Sequence, residues 1–253
     1  MELLGFLFAF VIGITLGMLG GGGSILTVPV FVYVLHYDPK LAIAMSLPIV
    51  GATSLVGAVG HWRAGNVRLG EALFFGVFAV TGAFFAARYS VHLQGRTQLF
   101  MLGTVMLAAS AMMLRDSFRA PIVATGASSS GTARISVAVV ALLVGALTGT
   151  VGIGGGFLWV PTLVLLARVP MRQAVGTSLL VVTLNALAGF AGQPQVEQIP
   201  LGFVAGFAAV AIAGILTGTR LQRHVEQRTL KRAFAVFLFV IASFVLWQNR
   251  ALL

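Results

Sequence analysis

The segment GMLGGGGSILTVP at residues 17–29 returns as GTVGIGGGFLWVP at residues 149–161, an offset of 132 positions. The same offset continues without a gap on both sides. Gly13 matches Gly145, Ala42 matches Ala174, and Ser46 with Leu47 matches Ser178 with Leu179; Leu55, Gly57 and Gly60 match Leu187, Gly189 and Gly192. Between 13–60 and 145–192 there are 16 identities in 48 positions. Shared apolar composition would supply about half of these, but it does not place Gly and Pro at fixed sites. The chain therefore reads as a tandem duplication. Residues 1–119 form the first membrane repeat, 120–134 a connecting loop and 135–253 the second membrane repeat.

The composition sets the environment of this duplication. Of 253 residues, 16 are basic and 6 acidic, so 9% are charged, while 58% are hydrophobic. Soluble domains carry about 25% charged residues, and this chain has too few to cover a water-facing surface. Mean hydropathy is +1.02. Disorder, a disulfide scaffold and an ordinary cytosolic enzyme are excluded, and a polytopic helical membrane protein is expected. The absence of Cys removes disulfides, iron–sulfur clusters and thiolate metal sites. The net charge of +10 does not signal nucleic acid, because the basic residues fall between apolar runs, where membrane orientation signals sit.

Apolar runs of membrane length cover 3–20, 41–60, 70–87, 97–114, 135–151, 173–192, 200–219 and 233–248. Two shorter ones, 24–35 and 157–167, each follow a glycine cluster. No alternation of apolar and polar residues suggests barrel strands. Glu2 stands where a signal peptide would carry a basic residue, and no cleavage site follows the first run, so that run reads as the first membrane helix. Each half thus holds four long helices and one short segment. A short segment that crosses makes five spans per half and inverts the second half; a re-entrant one makes four and keeps the halves parallel. With ten crossings, twelve basic residues collect on one side and four on the other; with eight, the division is ten to six. The sharper partition favours the inverted arrangement. Either one places the N-terminus outside and the 220–232 loop in the cytoplasm.

The glycine clusters are the first candidate site. Each Gly inside a helix costs about 1 kcal/mol relative to Ala, and hydrocarbon cannot satisfy the backbone groups that a broken helix exposes. Such breaks persist where they are packed in protein or face a wet cavity. Repeat-built transporters use them in matching positions to hold substrate. The start of each short segment offers free N–H groups and the positive end of a helix dipole to an anion. Gly21, Gly22, Gly23 and Ser24 are the candidates in the first half, with Gly154, Gly155 and Gly156 in the second. The following helices add Ser46 and Ser178, equivalent under the offset, and Asn185, equivalent to Thr53. A spacing of seven returns Ser178 and Asn185 to one helical face. The alternative for these side chains is bonding to their own helix or gluing neighbouring helices.

No acidic residue lies at the centre of a predicted span: Asp38, Asp116, Glu197 and Glu226 fall in loops, Glu2 is terminal and Glu71 is near a helix start. A carboxylate proton relay or cation cage has nowhere to form, which favours an anionic substrate. Catalysis is not expected, since no nucleophile–base pair or paired carboxylates appear. His36, His61, His92 and His224 are scattered without metal-binding spacing, so no metal and no cofactor is assigned. His61-Trp62-Arg63 reads as an anchor at the membrane interface.

The paired motifs GMLGGGGSILTVP and GTVGIGGGFLWVP resemble those of the sulfite exporter TauE/SafE family, also described as TSUP-type membrane permeases. The resemblance extends over most of the chain, since both repeats, their spacing and the length fit. It implies an inner-membrane transporter for small sulfur-containing or carboxylic anions such as sulfite or sulfonates. Ile153 stands where the first half has Gly21, and Gly156 where it has Ser24, so the halves are not equivalent. The expected partners are a small anion and the lipid bilayer, without nucleic acid; a homo-oligomer is compatible with the sequence. A passive anion channel and an accessory membrane subunit without transport of its own are the competing readings.

Overall fold

The computed structural model describes residues 2–117, 131–151, 156–165, 167, 169–193, 196–222 and 224–248. Among these residues every regular element is helical. α1 spans Glu2–Leu19 and is followed by a 3-10 turn, Gly20–Leu26. The three residues of α2, Thr27–Pro29, lead into a π-helical stretch, Val30–Val34. α3 (Pro39–Arg63), α4 (Leu69–Tyr89) and α5 (Gly95–Ser117) complete the first half. The second half holds α6 (Gly131–Val151), α7 (Gly156–Leu165), α8 (Met171–Gly192), α9 (Leu201–Gln222) and α10 (Gln227–Gln248). The protein is an all-helical, multi-pass membrane protein.

Six of these helices are long and apolar enough to cross a bilayer: α3, α4, α5, α8, α9 and α10. The eight long runs read from the sequence are all present as helices. α3 and α8 are the most enclosed of the six, with 72% and 67% of their apolar windows buried. They form the centre of the bundle, and the flanking helices present exposed apolar residues such as Leu7, Val77, Phe85, Leu143 and Val240 to lipid.

Contacts between helix ends give the directions. α3 ends at Arg63, and the turn after it is tied to the start of α8, where the Arg68 amide donates to Thr177 Oγ1 at 3.0 Å and Arg68 Nε to Gln173 Oε1 at 2.8 Å. Arg172 in turn donates to the Val225 carbonyl at 3.2 Å. One face of the bundle therefore gathers the end of α3, the starts of α4, α8 and α10 and the end of α9, together with Arg63, Arg68, Arg172, Arg220, Arg228 and Arg232. At the other face the start of α5 abuts the start of α3: a Cβ on Gly95 would lie 2.9 Å from Pro39 Cβ. Leu35, just past the short segment, packs beside Gly5 near the start of α1, with its Cδ2 atom 3.2 Å from a Cβ built on Gly5. The chain therefore runs along α1, breaks, and returns to the face from which it began.

Small residues hold the long helices close. A Cβ added to Gly13 would fall on the Ala211 carbonyl oxygen, and one added to Gly17 on that of Ile215, so α1 and α9 touch backbone to backbone and run parallel. α6 and α4 pack the same way, with Gly145 on the Ala79 carbonyl and Gly149 on that of Ala83. Where no hydrophobic force separates helix from lipid, such close approach supplies the packing that holds a membrane bundle together.

Candidate functional site

α1 stops because Gly20 takes φ = +72°, in the left-handed region that L side chains avoid. Leu19 (φ −105°, ψ 0°) is the last residue on the α1 side, and Gly20 to Gly23 enter the 3-10 turn. The break faces the other half of the protein. A Cβ at Gly20 would lie 2.8 Å from Ser178 Oγ, 3.1 Å from Val160 Cγ2 and 3.1 Å from Val175 Cα. Gly20 thus meets α7 and α8 at once, and no larger residue fits.

The hydroxyls are bonded within their own helices. Ser178 donates to the Val175 carbonyl and Ser46 to the Ile43 carbonyl, each at 2.8 Å, and both serines are completely buried, as is Ser24. To donate to an anion, either serine must release its backbone carbonyl, a rotation about one bond. Asn185 lies two turns along α8 from Ser178, about 10 Å by helix rise. Its Nδ2 donates to Thr148 Oγ1 at 2.8 Å, which ties α8 to α6. The structure therefore brings Gly20 and Ser178 together, while the Asn185 amide bonds across to α6. Gly156 opens α7, whereas Gly154 and Gly155 lie outside the described residues.

A helix that ends inside the bundle leaves carbonyls without N–H partners, and three side chains absent from the sequence-based candidate site cover them. His61 Nε2 is 3.4 Å from the Gly17 carbonyl, Gln222 Nε2 donates to the Met18 carbonyl at 3.1 Å, and Gln98 Nε2 donates to the Thr150 carbonyl at 2.7 Å. Met18 and Thr150 are equivalent under the 132-residue offset, so the last turns of α1 and α6 are capped alike. His61 is 1% exposed and Trp62 is 59% exposed. The expected interfacial anchor does not hold for His61, which points inward because α3 is central.

Two further polar groups point to a purpose for this region. Thr27 Oγ1 and Trp159 Nε1 are fully buried and have no hydrogen-bond partner among the described residues. They too occupy equivalent positions, each after a glycine cluster. Other buried threonines on these helices, such as Thr53 and Thr183, donate to the carbonyl four residues earlier, at 2.6 and 2.8 Å. Trp159 packs edge-on against Phe75 at 6.1 Å, which makes it an interior residue and not one of the membrane belt.

The buried polar side chains among the described residues are Ser, Thr, Asn, Gln and His61, with no carboxylate, lysine or arginine. Such an interior provides neutral hydrogen-bonding groups and the dipoles of broken helices. No group of three His, Asp or Glu side chains among the described residues is placed to hold a metal ion. A separate open pocket of about 590 Å³ lies at the face opposite the arginine cluster, lined by Tyr33, Asp38, Lys40, Arg96 and Gln248 among others.

A family model described as Sulfite exporter TauE/SafE matches residues 5–245. A "Probable membrane transporter protein" of Xylella fastidiosa (strain 9a5c) is 32% identical over 248 residues, covering 95% of this chain and 93% of the relative. "Probable membrane transporter protein YdhB" of Bacillus subtilis is 27% identical and covers 85% of each chain. "Probable membrane transporter protein MJ0441" of Methanocaldococcus jannaschii is 22% identical over 94% of this chain and 92% of the relative. No solved structure matches the chain at a significant level.

Proposed function

We propose that this chain, which belongs to the sulfite exporter TauE/SafE family, is a secondary transporter of a small anion across the inner membrane. Sulfite, a sulfonate or a related organosulfur or carboxylic acid is the substrate. The relatives' names support transport, and the chemistry of the breaks supports the anion. One observation carries the reading: Gly20 breaks α1 in a left-handed turn directly against the Ser178 hydroxyl of the other half. Backbone N–H groups of Gly21, Gly22 and Gly23, with Ser24, would receive the anionic oxygens from one side and Ser178 from the other. Ser46 and the second cluster, Gly154 to Gly156, would serve the matching half-site. Asn185 would set the spacing of α6 and α8 from behind.

The two halves, 1–119 and 135–253, are read as inverted repeats. In support, adding or subtracting 132 turns the Gly13–Ala211 contact into Gly145–Ala79, and Gly17–Ile215 into Gly149–Ala83. α1 leaves the face opposite the arginine cluster, and α9, parallel to it, ends at that cluster; α6 and α4 run the other way. Rocking one half against the other around the breaks would alternate access to the site. The arginine-rich face is cytoplasmic by the positive-inside rule, which leaves the N-terminus outside.

Purified protein in liposomes tests the function. Saturable uptake of labelled sulfite, methanesulfonate or lactate, abolished in Gly20→Ala, is expected. Flux that rises linearly with concentration would assign a channel instead, and no flux of any of the three would remove the transport reading.

A further inference from the structure

We propose that Thr27 and Ser54 determine specificity, as two hydroxyls that donate to the oxygens of the bound anion; the inference rests on the reading above that an anion enters between the halves. Both residues are completely buried. Buried Ser and Thr in a helix ordinarily donate to a carbonyl three or four residues earlier, as Ser46, Thr53, Ser178 and Thr183 do. Thr27 Oγ1 and Ser54 Oγ have no partner among the described residues, and neither has Trp159 Nε1. The other buried atoms without a partner belong to His61, Gln98, Arg172 and Asn185, each of which makes a polar contact through a different side-chain nitrogen. Thr27, Ser54 and Trp159 therefore stand apart, since each has only the one polar side-chain atom.

The three occupy two equivalent places. Trp159 and Ala186 belong to a packed cluster with Phe75, Ala79 and Leu163. Under the 132-residue offset the last three become Phe207, Ala211 and Phe31, which pack together in a second cluster. Trp159 and Ala186 become Thr27 and Ser54. Each half keeps an aromatic ring against its equivalent Phe: Trp159 against Phe75 at 6.1 Å, and Phe31 against Phe207 at 4.9 Å. In the first half that ring comes from one turn further along, so the position equivalent to Trp159 carries a small hydroxyl. A second hydroxyl, Ser54, replaces the methyl group of Ala186. Thr27 lies one turn beyond Ser24, on a segment that packs against α3, the helix that carries Ser54.

Packing alone does not account for this exchange. A buried polar group left unbonded lowers stability, and an apolar residue of the same shape would remove the cost. Two such groups at one place are explained by a ligand that bonds them. Hydroxyls donating to an anionic oxygen make stronger hydrogen bonds than they do with neutral acceptors. The indole N–H of Trp159 gives the second half one donor where the first has two, so the halves grip the anion unequally.

The whole protein, in liposomes for flux and in detergent for melting, tests the pair with sulfite, methanesulfonate and lactate. For an anion that the wild type takes up, Thr27→Val and Ser54→Ala should each raise KM about tenfold, the loss of one hydrogen bond to a charged ligand. Thr27→Ser, which keeps the hydroxyl, should stay near the wild type, as should Thr53→Val, whose hydroxyl serves the Ile49 carbonyl. The same anion should raise the thermal midpoint of the wild type and raise that of Thr27→Val and Ser54→Ala less. Without anion, the midpoints of these two variants should equal or exceed that of the wild type, because each has lost an unbonded polar group. An unchanged KM in both variants, as expected if buried water bonds the hydroxyls, overturns the proposal. A lowered anion-free midpoint in both makes the hydroxyls structural and also overturns it. If the wild type moves none of the three anions yet is stabilised by one, and the variants lose that stabilisation, the transport reading fails while the binding pair stands. With neither flux nor stabilisation, both fail.

Discussion

A side chain of even one carbon at Gly20 would sit 2.8 Å from the hydroxyl oxygen of Ser178, a residue 158 positions further along the chain. This contact joins the break in α1 to the central helix of the other half. Gly20→Ala is expected to abolish transport for two reasons: the φ of +72° costs a non-glycine residue about 1–2 kcal/mol, and the Cβ displaces Ser178 or Val175. Ser178→Ala alone should reduce flux and leave folding intact. The double variant should remain inactive, since removing the hydroxyl does not relieve the backbone. Uptake by the three proteins in liposomes checks the order.

The close helix crossings predict a paired effect on stability. Gly214→Val pushes α9 away from α1, where a Cβ would fall on the Phe10 carbonyl, and Gly82→Val does the same to α4 against the Leu142 carbonyl. Overpacking of this kind costs about 1–3 kcal/mol. Both variants should lower the thermal midpoint of the detergent-solubilised protein by similar amounts. Gly70→Val, where nothing lies within 4 Å, should not.

Replacing Gln98 by Leu removes the cap on the Thr150 carbonyl and leaves an apolar side chain of similar size. A buried carbonyl left without a donor costs about 1–3 kcal/mol. The variant should therefore melt earlier than the wild type, and Gln222→Leu, which uncovers the Met18 carbonyl, should do so as well. A midpoint unchanged in both would show that these carbonyls find other donors.

The chain contains no Cys, so single cysteines report sidedness without background. Ala64→Cys in the α3–α4 turn should resist an impermeant maleimide in intact cells and react after lysis. Gln94→Cys, before α5, should react in intact cells. The reverse pattern would invert the assigned orientation.

Much of this was legible from the sequence. The offset of 132 residues located both glycine clusters, and the long apolar runs located the helices to within a few residues. Ser178 was singled out because it matched Ser46, and it does stand at the break. The caps were not legible, because His61, Gln98 and Gln222 act on carbonyls 44, 52 and 204 positions away. A carbonyl carries no mark in a sequence, so only folding shows which side chain covers it. His61 resembled an anchor because it adjoins Trp62 and Arg63; α3 rotates it inward while Trp62 remains exposed. The bond from Asn185 to Thr148 was not legible either, since a buried amide suits a ligand site and a link between helices equally.

The central claim is that an anion binds at the contact between the two halves. The most direct measurement is an experimental structure of the protein soaked with selenite, whose heavy atom locates the anion. Density is predicted beside Gly20–Gly23 within hydrogen-bonding distance of Ser178 Oγ. Selenite found only in the open pocket by Lys40 and Arg96, with none at the break, would contradict the claim.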